Sequence, residues 1–244
     1  MRIHQVKTRL VNSYVIEDKS RLFVIDVAIR GEKYVLGYIE KIMKRDITDV
    51  DLVICTHDDP DHIGGVRSLA RECNALAGLP YAADSMYLKL VNDPVGGIFK
   101  ITTAVQEAFR PRAWDMYLNP GRNRAARLKP IRRIEYEIKD KAHIVPEVRL
   151  ENNRVVPNFT DWYVIHTPGH TWDSCCYFHK PSKSLITGDT LLGSSKKGRL
   201  VVPSIYSNPL QMAETIKKLK ALVPQNIYPG HGSFFQGENL LNHL

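Results

Sequence analysis

Long apolar runs are missing from this chain. The best stretch, residues 22–29, is broken by Asp26, and nothing approaches the ~18 residues that a membrane helix requires. A membrane span is therefore excluded, and no membrane partner is expected. Cysteine is scarce: Cys55, Cys73, Cys175 and Cys176 are too few for a disulfide scaffold of this length, and the adjacent pair is badly placed to bridge itself. All four are expected to be reduced. The basic residues of the N-terminus are not followed by an apolar segment, so a secretory leader is not indicated and a cytoplasmic location is the default expectation. Low-complexity tracts and repeats of solenoid period are also lacking. What remains is a globular chain, 43% hydrophobic and 25% charged, whose 244 residues suit a single domain over 1–244.

Acidic residues are in deficit. Lysine and arginine number 34 against 26 acids, a net charge of +8. The excess is concentrated in residues 110–133, where Arg110, Arg112, Arg122, Arg124, Arg127, Lys129, Arg132 and Arg133 face the single acid Asp115. Such a run is either a solvated surface or a recruiter of anions.

The rest of the chain alternates strand-like and helical patterns. Runs 13–17 and 21–27 flank the polar residues 18–21 and read as a β-hairpin. Val35, Leu36, Ile39, Ile42 and Met43 fall at helical spacing, and a buried strand follows at 50–55. Gly64 and Gly65 precede an amphipathic stretch to Cys73. Proline and glycine punctuate residues 85–135, which are expected to form an insertion or lid with one helix at 98–109. Strand-like runs resume at 161–165, 174–178, 184–187 and 225–228, with a helix at 210–222.

The chemistry is concentrated at the ends of these strands. The loop His57-Asp58-Asp59-Pro60-Asp61-His62 packs two imidazoles and three carboxylates into six residues directly after a strand. These are borderline and hard donors suited to zinc, iron or manganese. Three further strand-end loops offer His170, Asp189 and His231. Each of these alone could be a turn or capping residue; four loops repeating the pattern point to a metal.

The order Thr56-His57-Asp58-Asp59-Pro60-Asp61-His62-Ile63-Gly64-Gly65, His166-Thr-Pro-Gly-His170-Thr, Thr187-Gly-Asp189-Thr and Pro229-Gly-His231-Gly resembles the metallo-β-lactamase superfamily over nearly the whole chain. The resemblance implies an α/β fold, a four-layer αββα sandwich of two mixed β-sheets flanked by helices, with a one- or two-metal site. It assigns His57, Asp59 and His170 to the first metal, Asp61, His62 and His231 to the second, and Asp189 to a bridge. It also implies a metal-dependent hydrolase in which metal-activated hydroxide attacks a small anionic ester, thioester, lactone or phosphoester, with Asp61 and Asp58 as candidate catalytic carboxylates. His166 resembles a structural or supporting residue.

One position departs from the family's pattern: Asp59 stands where a second histidine is usual. A carboxylate there makes the first site harder and shifts preference from zinc toward iron or manganese, as in a flavodiiron-like branch. The alternative activities are accordingly an iron-dependent oxidoreductase of flavodiiron or persulfide dioxygenase type and, from the basic cluster, a nucleic-acid processing or binding protein. The segment 187–200 is similar to the glyoxalase II neighbourhood, which makes Lys196, Lys197 and Arg199 candidate substrate contacts. Only thirteen residues follow His231, so the C-terminal helical domain of glyoxalase II is not expected.

Overall fold

The computed structural model describes residues 1–8, 11–84, 86–111, 117 and 147–244. The basic cluster beyond Arg110, with nearly half of the expected lid, lies outside these residues. The described residues divide into two compact units. One comprises Met1–Leu79 with residues 147–149, the other the described part of Pro80–Tyr117 with Leu150–Leu244. All four cysteines are buried and none is bridged.

The first unit is built on a mixed sheet in the order β1-β2-β3-β4-β5-β6. β1 (Arg2–Lys7), β2 (Asn12–Asp18) and β3 (Arg21–Ile25) form an antiparallel meander. The expected hairpin is its second turn, while β1 is an edge strand with weak alternation that the sequence does not mark. β4 (Val50–Ile54) joins β3 in parallel, β5 (Leu76–Pro80) joins β4 in parallel, and β6 (Val148–Leu150) lies beside β5.

Parallel neighbours need crossovers, and helices supply them. α1 (Glu32–Tyr38) leads from β3 and continues as a π-helical turn, Ile39–Met43, rather than the uniform helix expected to residue 45. Lys44, at φ 56, ends it, and the Arg45 amide bonds to the Ile39 carbonyl. α2 (Pro60–Ile63) and α3 (Val66–Cys73) connect β4 to β5. α3 buries Val66, Leu69, Ala70 and Cys73, the i, i+3, i+4, i+7 face of an amphipathic helix.

The second unit carries another mixed sheet in the order β14-β13-β10-β9-β8-β7. Its strands are β7 (Val155–Val156), β8 (Phe159–His166), β9 (Cys175–His179), β10 (Ser184–Gly188), β13 (Asn226–Pro229) and β14 (Phe235–Gln236). A separate hairpin, β11 (Leu192–Ser194) and β12 (Arg199–Val201), occupies the stretch read from sequence as a basic loop. α4 (Met86–Asn92) and α5 (Gly96–Ala108) precede the sheet in sequence.

α6 (Pro209–Ala221) begins at Asn208, whose side chain accepts the Leu210 and Gln211 amides at 3.1 Å, with Pro209 at the first helical position. Its Met212, Ile216 and Leu219 pack into one core with Ile165, Cys176, Phe178, Leu185, Leu191, Leu200 and Ile227.

Candidate metal centre

In the first unit the site begins with strand register. Ile25 of β3 pairs with Ile54 of β4, so the two parallel strands end together, and the Asp26 amide donates to the Ile54 carbonyl at 2.9 Å. Asp26 is fully buried and stands at φ 61, a left-handed conformation that aspartate tolerates better than most residues. Its carboxylate accepts the Thr56 amide at 2.7 Å and the Thr56 hydroxyl at 2.9 Å, and its Oδ2 lies 2.9 Å from His62 Nδ1.

These bonds fix tautomers. An ionised Asp26 only accepts, so His62 donates from Nδ1 and presents the lone pair of Nε2. The Thr56 proton also goes to Asp26, so Thr56 Oγ1 accepts from His57 Nδ1 at 3.0 Å, and His57 too presents Nε2. A carboxylate behind an imidazole is the arrangement that orients metal-ligating histidines.

The chain beyond Asp26 clamps the motif loop. The Val27 amide donates to the His62 carbonyl at 2.7 Å, and the Gly65 amide donates to the Val27 carbonyl at 2.8 Å. A Cβ on Gly65 would lie 2.5 Å from the Ala28 carbonyl oxygen, so the glycine before α3 is required by close approach of this segment.

His57 and His62 are buried, with ring centroids 4.1 Å apart. His57 Nε2 is 3.3 Å from Asp59 Oδ2, and His62 Nε2 is 3.8 Å from Asp61 Oδ2. The side chains of Asp59 and Asp61 are 25% and 32% exposed, so solvent reaches the carboxylates but not the imidazoles. Asp58 is half-buried. Asp59, rather than Asp58, occupies the N-cap position of α2, and its side chain does not cap the helix.

The second unit repeats the logic. β8 and β10 both run antiparallel to β9, and β13 runs parallel to β10. The carboxyl ends of β8, β10 and β13 therefore share an edge, where such folds place their ligands. From these ends come His170, Asp189 and His231. Asp189 is buried, with Oδ1 3.3 Å from His231 Nε2 and Oδ2 3.8 Å from His170 Nε2. One carboxylate thus faces two imidazoles. His170 Nδ1 donates to the Ile205 carbonyl at 2.8 Å, which again leaves Nε2 as the acceptor.

The His231 loop is fastened to β11. The Gly193 amide donates to the His231 carbonyl at 2.9 Å, and Gly232, at φ +83, approaches so closely that a Cβ there would lie 1.7 Å from the Gly193 oxygen. Lys196 and Lys197 are exposed in the β11–β12 turn, and Arg199, also exposed, opens β12. His166 donates from Nε2 to the Trp172 carbonyl at 2.6 Å, a strut across the loop that carries His170. Burial pushes its imidazole below the ordinary value, with the Trp172 carbonyl opposing the shift.

The sequence-derived donors thus fall into two sets, one in each unit: His57, Asp59, Asp61 and His62, and His170, Asp189 and His231. Within the first, the ligand atoms of His57 and Asp59, of His57 and His62, and of Asp61 and His62 lie within 4.8 Å of each other. Imidazole nitrogens with fixed lone pairs beside carboxylate oxygens fit a borderline divalent ion. Three participants escaped the sequence reading. Asp26 was visible only as the break in an apolar run. The Ile205 carbonyl carries no side-chain signal. Tyr117, whose ring stands edge-on to His231 at 4.8 Å between centroids, lies in a stretch without periodicity.

A family model described as the metallo-beta-lactamase superfamily matches residues 6–231. A beta-lactamase-like protein 2 homolog of Drosophila melanogaster is 21% identical over 92% of this chain, which spans 59% of that relative's length. A probable metallo-hydrolase of Bacillus subtilis is 23% identical, covering 99% of this chain and 88% of its own. Among solved structures, a metallo-beta-lactamase family protein of Thermus thermophilus superposes with a TM-score of 0.61 at 16% identity, covering 99% of this chain and 77% of that one. A protein solved in a di-iron-bound form superposes at 0.55 and 18% identity, covering 97% and 94%. These likenesses agree with the two mixed sheets and flanking helices in showing the α/β sandwich class expected from the motifs. With its strand-end histidines and aspartates in the family's order and a family model spanning both units, the chain belongs to the metallo-β-lactamase superfamily.

Proposed function

We propose that the chain is a metal-dependent hydrolase of a small anionic ester, thioester, lactone or phosphoester, with His57, Asp59, Asp61, His62, His170, Asp189 and His231 as the ligands of one or two divalent ions. One observation carries the reading. Three imidazoles have their Nδ1 protons taken by Thr56, Asp26 and the Ile205 carbonyl, which dedicates each Nε2 to an electrophile. A divalent ion held there would polarise an acyl or phosphoryl oxygen and lower the pKa of bound water toward about 7.

The protein's own groups do the rest. Asp189 presents one oxygen to His170 and the other to His231. Asp58, half-buried beside the ligands, serves as proton acceptor, and the partial exposure of Asp59 and Asp61 admits water. Lys196, Lys197 and Arg199 meet the substrate's charge from the hairpin joined to the His231 loop through Gly193. Asp59 favours iron or manganese over zinc at the first position, because a carboxylate is harder than the imidazole it replaces. The same feature supports a second reading, an iron oxidoreductase.

Elemental analysis of protein never exposed to chelator should find metal, with less in His62→Ala and in Asp189→Ala. Unchanged metal in both variants would overturn the ligand assignment. Thioesters, lactones, phosphodiesters and β-lactams, assayed with zinc, manganese and iron, separate hydrolysis from the redox reading, for which oxygen consumption is the signature. Asp58→Asn should lower kcat by roughly 10²–10⁴ without loss of metal if Asp58 moves the proton.

A further inference from the structure

We propose that Thr103 of α5 is a positioning residue for His170, acting through the Ile205–Tyr206 peptide; the proposal rests on the reading of His170 as a metal ligand. The two polar ends of that peptide unit face different elements. Its carbonyl, on Ile205, accepts the His170 Nδ1 proton at 2.8 Å, and its N–H, on Tyr206, donates to Thr103 Oγ1 at 3.2 Å. The unit is trans and planar, so its C=O and N–H point in opposite directions, and holding the N–H fixes where the carbonyl aims. The hydroxyl is itself oriented by its helix. Its one proton has carbonyl acceptors at 2.9 Å on Phe99, 3.1 Å on Lys100 and 3.3 Å on Tyr206. The shortest, to Phe99 one turn back, leaves a lone pair for the Tyr206 N–H. Hydrogen-bonded groups in series polarise one another, so the carbonyl met by the imidazole is a stronger acceptor with Thr103 in place than without it.

The backbone of the His170 loop is fastened separately. The Ser207 amide donates to the Gly169 and His170 carbonyls at 2.8 and 3.0 Å, and the Asn208 amide to the Gly169 carbonyl at 3.0 Å. Gly169, at φ +137, lets the loop lie against α6, where a Cβ would come within 2.7 Å of the Met212 backbone. These bonds hold the main chain but not the imidazole. The ring turns about its own side-chain bonds, and the contact of Nδ1 with Ile205 sets the direction of Nε2. α4 reaches the same loop at a second point, where Lys89 Nζ lies 3.1 Å from the fully buried carboxylate of Asp173. The helix expected within the insertion is thereby joined to the candidate metal centre, and the Thr103 hydroxyl is the link that ends on a ligand ring.

Cobalt(II) titration of the metal-free full chain tests the proposal, because the visible spectrum reports ligand geometry and the same titration gives the affinity. Thr103→Val keeps the side chain's shape and removes the acceptor, and Thr103→Ala removes it without a β-branch. Both should bind cobalt about 3- to 10-fold more weakly, with altered visible bands, a smaller loss than the roughly 10- to 100-fold expected for a direct partner of a ligand. Thr103→Ser should restore affinity and spectrum. Thr102→Val, whose hydroxyl bonds to the Ile98 carbonyl within α5, should match the parent and so controls for valine in this helix. Parental affinity and spectrum in Thr103→Val and Thr103→Ala, even with a lowered Tm, would overturn the proposal in favour of a purely structural role, as would a serine variant that behaves like valine. His170→Ala separates the two levels. If it binds cobalt as the parent does, the ligand reading fails and the proposal with it; if it binds weakly while Thr103→Val binds normally, the proposal alone fails.

Discussion

Asp26 shows how much one carboxylate can organise. It holds Thr56 by two bonds and His62 by a third, and through Thr56 it sets the tautomer of His57. Asn tolerates the same left-handed backbone, but its amide nitrogen cannot accept. Asp26→Asn should therefore weaken metal affinity roughly 10- to 100-fold, read by competition with a chromophoric chelator. It should also cost about 1–3 kcal/mol in urea unfolding, for the buried donors it abandons. His166 makes a separate prediction about pH. Its folded-state pKa lies below that of the unfolded chain, about 6.5. As pH falls through that value the unfolded state takes up a proton that the folded state refuses, so stability is full above it and declines toward the lower folded pKa. The urea midpoint should fall as the pH drops below about 6.5, and less steeply in His166→Gln. The donor residues were legible in the sequence because they crowd at strand ends. The role of Asp26 was not, because its partners lie 30 and 36 positions away and meet it only through the β3–β4 register.

At the level of elements, the hairpin, β4, β8, β9, β10, β13 and the helices with clear period were readable. β1, β5, β6, β7, β11, β12 and β14 were not. They are edge strands, segments of two or three residues or, in β5, a run broken by Gly78 and Pro80, too brief or too mixed to show alternation. The β11–β12 hairpin matters most among them, because its Gly193 braces the His231 loop. Gly232→Ala meets both a positive φ and the Gly193 oxygen, so it should cost about 1–3 kcal/mol or more. It should also lower metal content, measured by thermal unfolding and elemental analysis on the same preparation. A variant that keeps its metal while losing stability would separate the brace from the ligand.

For the molecule as a whole, metal and fold should be thermodynamically linked. An ion that binds only the folded chain raises stability by about 4 kcal/mol at a thousandfold excess over Kd, so chelation should lower the Tm and refilling should restore it. Asp59→His should shift occupancy toward zinc when metal-free protein is refilled under defined conditions; equal preferences in parent and variant would defeat the argument from ligand hardness. The two donor sets differ in one further respect. His57, Asp59, Asp61 and His62 fall within six consecutive residues, whereas His170, Asp189 and His231 converge only through the pairing of β8, β9, β10 and β13. During synthesis the first set leaves the ribosome long before His231 is made. On the proposed ligand assignment the nascent chain would therefore carry four of the seven donors together before it folds. Any affinity those four keep in the unfolded state would reduce how much the same ion stabilises the finished protein.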